Sequence, residues 1–205
     1  MLTFDEKEHR YEADGITVPS VTQILGEFIR VDIGAGWYVS TFTGQMIKAD
    51  VFEAAGRMGT AIHDMIHYYL EDDLDVEALS PELMAVLVQF REWQDMFKPE
   101  IMHTEKRGYS EKYGFAGTMD LVCKIGRDIW IPDYKSGAYN TAGPQLAAYE
   151  KLYQESIDSH SPVKRAVLRL PKDGSKFKWV PMTDRKDWLF FQARKFQYDY
   201  LRKGR

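Results

Sequence analysis

The sequence predicts an α/β domain, a mixed central β-sheet flanked by helices with a helical N-terminal elaboration. Three observations predict it. Long segments of helical periodicity precede three successive runs rich in β-branched and aromatic residues, a further helix and strand follow those runs, and an amphipathic segment closes the chain. A meander followed by a helix and another strand suits a mixed sheet, because a parallel pair needs a long crossover.

Taken in order, residues 4–18 read as a hairpin turning at Asp14-Gly15, and Ser20 caps a short helix that stops near Gly26. Residues 30–36, with Gly34 and Gly36, form the most flexible point. Helices are expected over 35–48, 51–72 and 82–97, the last capped by Ser80 with Pro81 in its first turn. Strands follow at 101–110, 114–125 and 128–135, then a helix from Pro144 to about Ser156, strands at 163–170 and 176–182, and a helix over 184–203. There is no internal repeat, low-complexity segment or linker, so residues 1–205 read as one domain: a hairpin and helices to residue 50, a core over 51–182 and a basic helix from 183.

With 205 residues, 44% hydrophobic and 14% aromatic, the chain can bury a full core. No apolar run approaches the length of a bilayer span, and the acidic N-terminal stretch is not a secretory signal. The lone Cys123 excludes an intrachain disulfide, fits a reducing compartment and alternates with apolar neighbours as an inert core thiol does. A soluble cytoplasmic protein without a membrane partner is therefore expected. Net charge is −4, but residues 163–205 carry 13 Lys or Arg against 4 Asp or Glu, whereas the first 162 carry 14 against 27. The basic end is a candidate polyanion-facing surface; for any single residue of the last helix a solvated face serves as well.

The chemistry concentrates at Asp133-Tyr134-Lys135, preceded thirteen residues earlier by Asp120 in Gly117-Thr118-Met119-Asp120. Period-two alternation puts Asp133 and Lys135 on the same face of their strand. Paired carboxylates are hard ligands suited to Mg²⁺ or Mn²⁺, and a divalent cation offsets the charge that builds on a phosphodiester as water attacks. An ammonium beside the attacking water orients it or neutralises the phosphate, which makes Lys135 the expected activator. The D-x-K tripeptide alone would equally suit a surface hairpin carrying an ordinary ion pair.

Two helices add to the constellation. Gly59, His63, Ile66 and Leu70 fall on one stripe of the helix over 51–72, and Gln145 and Tyr149 share a face four residues apart. In order, G-x-x-x-H, G-x-x-D, D-x-K-S and Q-x-x-x-Y resemble the nuclease domain of the RecB-like branch of the PD-(D/E)xK superfamily, over roughly residues 59–153. The N-terminal hairpin leading into Pro19-Ser20-Val21-Thr22-Gln23-Ile24-Leu25 is similar to phage-type and mitochondrial genome maintenance exonucleases. The resemblance implies a restriction-endonuclease-like core in which His63, Asp120, Asp133 and the Tyr134 carbonyl ligate the metal. It further implies a catalytic Lys135, Gln145 and Tyr149 in service of the site, and an outer contact from Glu105. The implied activity is metal-dependent DNA hydrolysis, more as an exonuclease than an endonuclease, yielding 5′-phosphates in phage-type recombination, repair or processing. DNA, single-stranded or as duplex ends, is the implied partner, with a single-strand annealing protein or helicase beside it; the compartment is the cytoplasm of a bacterial or phage-infected cell.

The sequence departs from that pattern at Pro132, which forfeits a ladder hydrogen bond and suggests an edge strand or bulge. Some relatives hold an iron–sulfur cluster through four cysteines, and Cys123 alone excludes one here. His67 stands four residues after His63, the spacing of zinc-binding imidazoles, but Asp64 occupies the place of the glutamate in H-E-x-x-H, so a zinc hydrolase is the weaker reading. His9, His103 and His160 carry no signal. Lys172, Lys176 and Lys178 in the last hairpin, and Tyr139 just beyond Lys135, are the expected DNA contacts; residues 30–36 are a candidate arch that admits the strand. The alternative is a catalytically silent DNA-binding or scaffolding module of the same fold. No G-x-x-x-x-G-K-[ST] pattern is present, so ATP-driven unwinding would need a partner.

Overall fold

The computed structural model describes every residue except Lys7, His9, Ala35, Ala138, Ser159, His160 and 203–205, so His9, His160 and the last residue of the expected terminal helix lie outside the described residues. The chain opens with an antiparallel three-stranded sheet, β1 (Leu2–Asp5), β2 (Arg10–Ala13) and β3 (Ile16–Val18). Asp14 and Gly15 take φ of 49° and 79°, the left-handed pair that a two-residue type I′ turn requires and Asp-Gly favours. Ser20 then caps α1 (Val21–Leu25) with a complete capping box: Gln23 N donates to Ser20 Oγ at 3.0 Å and Ser20 N to Gln23 Oε1 at 3.0 Å.

Residues 35–48 do not form the expected helix. A second antiparallel sheet lies there, β4 (Phe28–Val31), β5 (Trp37–Ser40) and β6 (Met46–Lys48), so the N-terminal elaboration is two small sheets around one short helix. The run Trp37-Tyr38-Val39-Ser40-Thr41-Phe42-Thr43 is made of aromatic, β-branched and hydroxyl residues that lose rotamer freedom in a helix or compete for its backbone donors. Ser40 Oγ takes those donors from Phe42 and Thr43 at 3.3 and 3.2 Å, and Gly44 completes the turn at φ 70°. Beyond β4, Ile33 N donates to Val31 O and Gly36 N to Ile33 O, each at 3.1 Å, on the way to β5.

The core follows the expected order: α2 (Ala49–Leu70), a 3₁₀ turn (Val76–Ala78), α3 (Pro81–Phe97), β7 (Glu100–Ser110), β8 (Phe115–Ile125), β9 (Asp128–Lys135), α4 (Ala142–Ser156), β10 (Val163–Arg169), β11 (Lys178–Pro181) and α5 (Lys186–Arg202). The five strands order as β11-β10-β9-β8-β7. β9 and β10 are parallel, joined by α4, and the other neighbours are antiparallel, so the sheet is mixed. One face packs Phe115, Met119 and Val167 beneath α1, α4 and α5; the other packs Leu121, Cys123, Tyr134 and Leu168 beneath α2 and α3. Among the described residues, no helix is long and apolar enough to cross a membrane.

Pro132 lies neither on an edge strand nor in a bulge. β9 is the middle strand, and Pro132 pairs with Ala166 of β10. On its other side the β8–β9 ladder ends at Cys123↔Trp130. Tyr134 turns its N–H toward β8, so by alternation Pro132 presents its missing donor to the gap where β8 has already parted from β9.

Candidate metal centre

The fork between β8 and β9 builds the site. Asp120 and Asp133 project there from adjacent strands, 7% and 1% exposed. Tyr134 N donates to Asp120 Oδ2 at 3.0 Å, so a carboxylate replaces the backbone acceptor that the ladder would have supplied. Strand geometry directs the Tyr134 carbonyl to the same side as its N–H. From α2, His63 Nδ1 comes to 3.4 Å from Asp120 Oδ1. Lys135 shares the face of Asp133, as alternation requires, and sets Nζ 2.7 Å from Asp133 Oδ2. That contact is an ion pair without good hydrogen-bond direction, and neither buried Asp133 oxygen has a hydrogen-bond donor.

β7 adds a group to which the sequence gives only an outer role. The pairs Thr104↔Leu121 and Lys106↔Met119 place Glu105 across from Asp120. Its φ of 45° is left-handed in the middle of a strand, a conformation costing about 1–3 kcal/mol for a residue with a side chain. One ligand atom each from His63, Glu105 and Asp120 lies within 4.8 Å of the others, so Glu105 stands close enough to be a candidate direct donor. A signal for it exists in the sequence: a tight turn at 111–114 pairs Ser110 with Phe115, and counting five back and five on sets residue 105 opposite 120.

Electrostatics marks the cluster as short of positive charge. Burial pulls the His63 pKa down, but the Asp120 carboxylate more than reverses this and pushes it up to about 9. Burial, then the charge of Asp120, raises Glu105 to about 7. Burial opposes the charge on Asp120, but His63, Lys135 and the Tyr134 N–H together hold it below the usual carboxylate range. Burial raises Asp133 despite Lys135. Burial would strip Lys135 of its proton, yet Asp133 and Asp120 hold its pKa above the ordinary value, so it is an ammonium. Two acidic side chains and an imidazole, with the buried carboxylate of Asp133 beside them lacking a hydrogen-bond donor, fit a divalent cation held by hard ligands.

A cleft of about 690 Å³ opens over this cluster. His63, Asp120, Lys135, Gln145 and Tyr149 line it together, and Gln145 Nε2 donates to Tyr149 OH at 3.0 Å. Two glycines shape it. A Cβ on Gly117 would meet Tyr149 Cε1 at 2.9 Å, so the absent side chain lets the phenol close on β8. A Cβ on Gly59 would meet nothing within 4 Å and would point into open space on the cleft wall. Arg107, which no local pattern singles out, contributes a cation to the wall, stacked 4.8 Å over Phe4.

Other expected contacts lie elsewhere. Lys172, Lys176 and Lys178 are exposed but do not line the cleft; their hairpin leans on α3 through Phe177 N to Gln89 Oε1 at 2.7 Å and a Trp93–Trp179 stack. Tyr139 packs against the core instead of facing the cleft, and its carbonyl accepts from Ala142 N at the start of α4. His67 borders the cleft with Nδ1 buried and without a partner, but it is not among the converging donors, and His103 on β7 is not part of the lining. The basic terminal helix spends charge internally: Lys195 bonds Asp199 at 2.7 and 2.6 Å, and Arg194 Nε bonds Leu25 O at 3.0 Å.

No protein-family profile matches this chain, and no curated protein sequence matches it.

Proposed function

We propose that the chain is a Mg²⁺- or Mn²⁺-dependent deoxyribonuclease of the PD-(D/E)xK superfamily, RecB-like branch, with a restriction-endonuclease-like core, working as an exonuclease from DNA ends and leaving 5′-phosphates. The observation that carries this reading is the convergence of Asp120, Glu105 and His63 beside the Asp133–Lys135 pair at one strand fork, on the floor of a cleft.

His63, Glu105, Asp120, Asp133 and the Tyr134 carbonyl would hold the cation, which supplies Lewis-acid polarisation of the phosphate and a more acidic water. Lys135, kept protonated by Asp133, sets a positive charge beside the carboxylates, where it offsets charge accumulating on non-bridging oxygens and orients the nucleophile. Gln145 and Tyr149 fix one another and present an amide and a phenol to the strand. Arg107 offers a neighbouring phosphate a cation, and Gly59 leaves room for the sugar–phosphate backbone. Asp120 and His63 orient each other, which keeps the donor set assembled.

The test is digestion of 5′- and 3′-labelled linear DNA and of circular DNA with Mg²⁺ and with Mn²⁺. Divalent-dependent loss of linear substrate is expected, with Lys135→Ala and Asp133→Ala each slowing it at least about 100-fold. Near wild-type rates in either variant refute the assignment.

A further inference from the structure

Helix α5 is apolar on two opposite faces. Its inner face carries Phe191, 1% exposed, together with Trp188 and Tyr198 packed against the core. Its outer face carries Leu189, Phe196 and Tyr200 at 64, 74 and 72% exposure, with Phe190 and Leu201 beside them at 40 and 63%. A helix that only covers a sheet has no reason for the second stripe, since solvent rewards polar residues there. Arg194 and Lys195 lie round the helix from this face and bond Leu25 O and Asp199.

The spacing says what fits the stripe. Leu189, Ala193, Phe196 and Tyr200 follow one another by four, three and four residues, the alternation of a coiled-coil seam, within an arc of roughly 60° at 100° per residue. Laid antiparallel on a copy of itself, this seam pairs Leu189 with Tyr200 and Ala193 with Phe196, small against large at each layer. At the flank Gln192 comes alongside Asp199, an amide against a carboxylate. A parallel pairing sets Phe196 on Phe196 and Ala193 on Ala193, which overpacks one layer and hollows the other. With each large side chain offering roughly 200 Å², Leu189, Phe196 and Tyr200 together with Phe190 at the edge of the seam leave on the order of 500 Å² per copy, so two copies reach about 1,000 Å², the lower end for a specific interface.

We infer that the outer face of α5 is a homodimer interface, two copies of this chain meeting antiparallel along Leu189, Ala193, Phe196 and Tyr200. The dimer is independent of the metal centre.

Sedimentation equilibrium of the full chain tests it. A dimer is expected at about 50 μM, and Phe196→Glu, which places a carboxylate in the seam, is expected to weaken association at least about 100-fold. Phe196 is exposed, so the variant keeps the wild-type circular dichroism and thermal transition. Direction is read by oxidative cross-linking: Leu189→Cys combined with Tyr200→Cys yields a covalent dimer, whereas Phe196→Cys alone does not, and the buried Cys123 stays silent. A monomeric wild type overturns the proposal, as does a dimer that survives Phe196→Glu. Cross-linking of Phe196→Cys to itself overturns the antiparallel arrangement. A monomer whose DNA affinity falls in Phe196→Glu assigns the face to nucleic acid and overturns the dimer.

Discussion

Glu105 sits at φ 45° in the middle of β7, and its carboxyl lies close to that of Asp120. Backbone strain and like charge together oppose the folded state at neutral pH, and a cation between the donors removes the second of these. Glu105→Gln keeps the side-chain shape and deletes the charge. In the metal-free protein it is therefore expected to stabilise by about 1–3 kcal/mol at pH 8, while divalent affinity falls at least about tenfold. Denaturant melts in chelator together with metal titration calorimetry check both signs, and a variant that binds metal as tightly as the parent removes Glu105 from the donor set. At this scale much of the centre is legible in the chain. Asp133 and Lys135 share a face because strands alternate, and Gln145 and Tyr149 meet because helical residues four apart are neighbours. Arg107 is not legible, since a hairpin about a hundred residues away carries Phe4 to β7.

Among the elements, α1 is the shortest helix and the one whose start is most fully specified, by the Ser20–Gln23 capping box. It holds Val21 over Gly117 and its last carbonyl against Arg194, so it ties the cleft wall to α5. Ser20→Ala removes the acceptor for Gln23 N, and about 1 kcal/mol of stability is expected to go with it, or 2–4 °C in Tm. Calorimetry checks this, and an unchanged Tm shows that other contacts alone fix the helix. Caps and turns such as Ser20, Ser80 and Asp14-Gly15 are read correctly because their signals are local. The 35–48 segment is misread for the opposite reason. Its strands are short, β6 having 3 residues, and Tyr38 stacks on Phe52 of α2 at 4.0 Å while Phe28 of β4 tilts against the same ring at 4.8 Å, packing that no local periodicity announces.

For the whole molecule, the centre makes metal-free stability fall with pH. The folded-state pKa of Glu105, about 7, exceeds its ordinary 4.5, so between those values the folded protein holds a proton that the unfolded chain has lost, and stability drops as pH rises. His63 acts in the same direction higher up: its contribution is fully present below 6.5 and is lost as pH rises through about 9. A divalent cation binds the deprotonated donors, so loading reverses the trend by taking up the sites those protons leave. Melting temperatures in chelator are expected to be lower at about pH 8.5 than at about pH 6, and the increment given by saturating Mg²⁺ or Mn²⁺ is expected to be larger at the higher pH. Asp120→Asn removes the charge that raises His63 and adds to the burial that raises Glu105, which makes the chelator curve shallower between these pH values and abolishes most of the metal increment. Differential scanning fluorimetry across the range reads all three outcomes. An increment independent of pH in the parent protein would show that the cation binds away from His63 and Glu105.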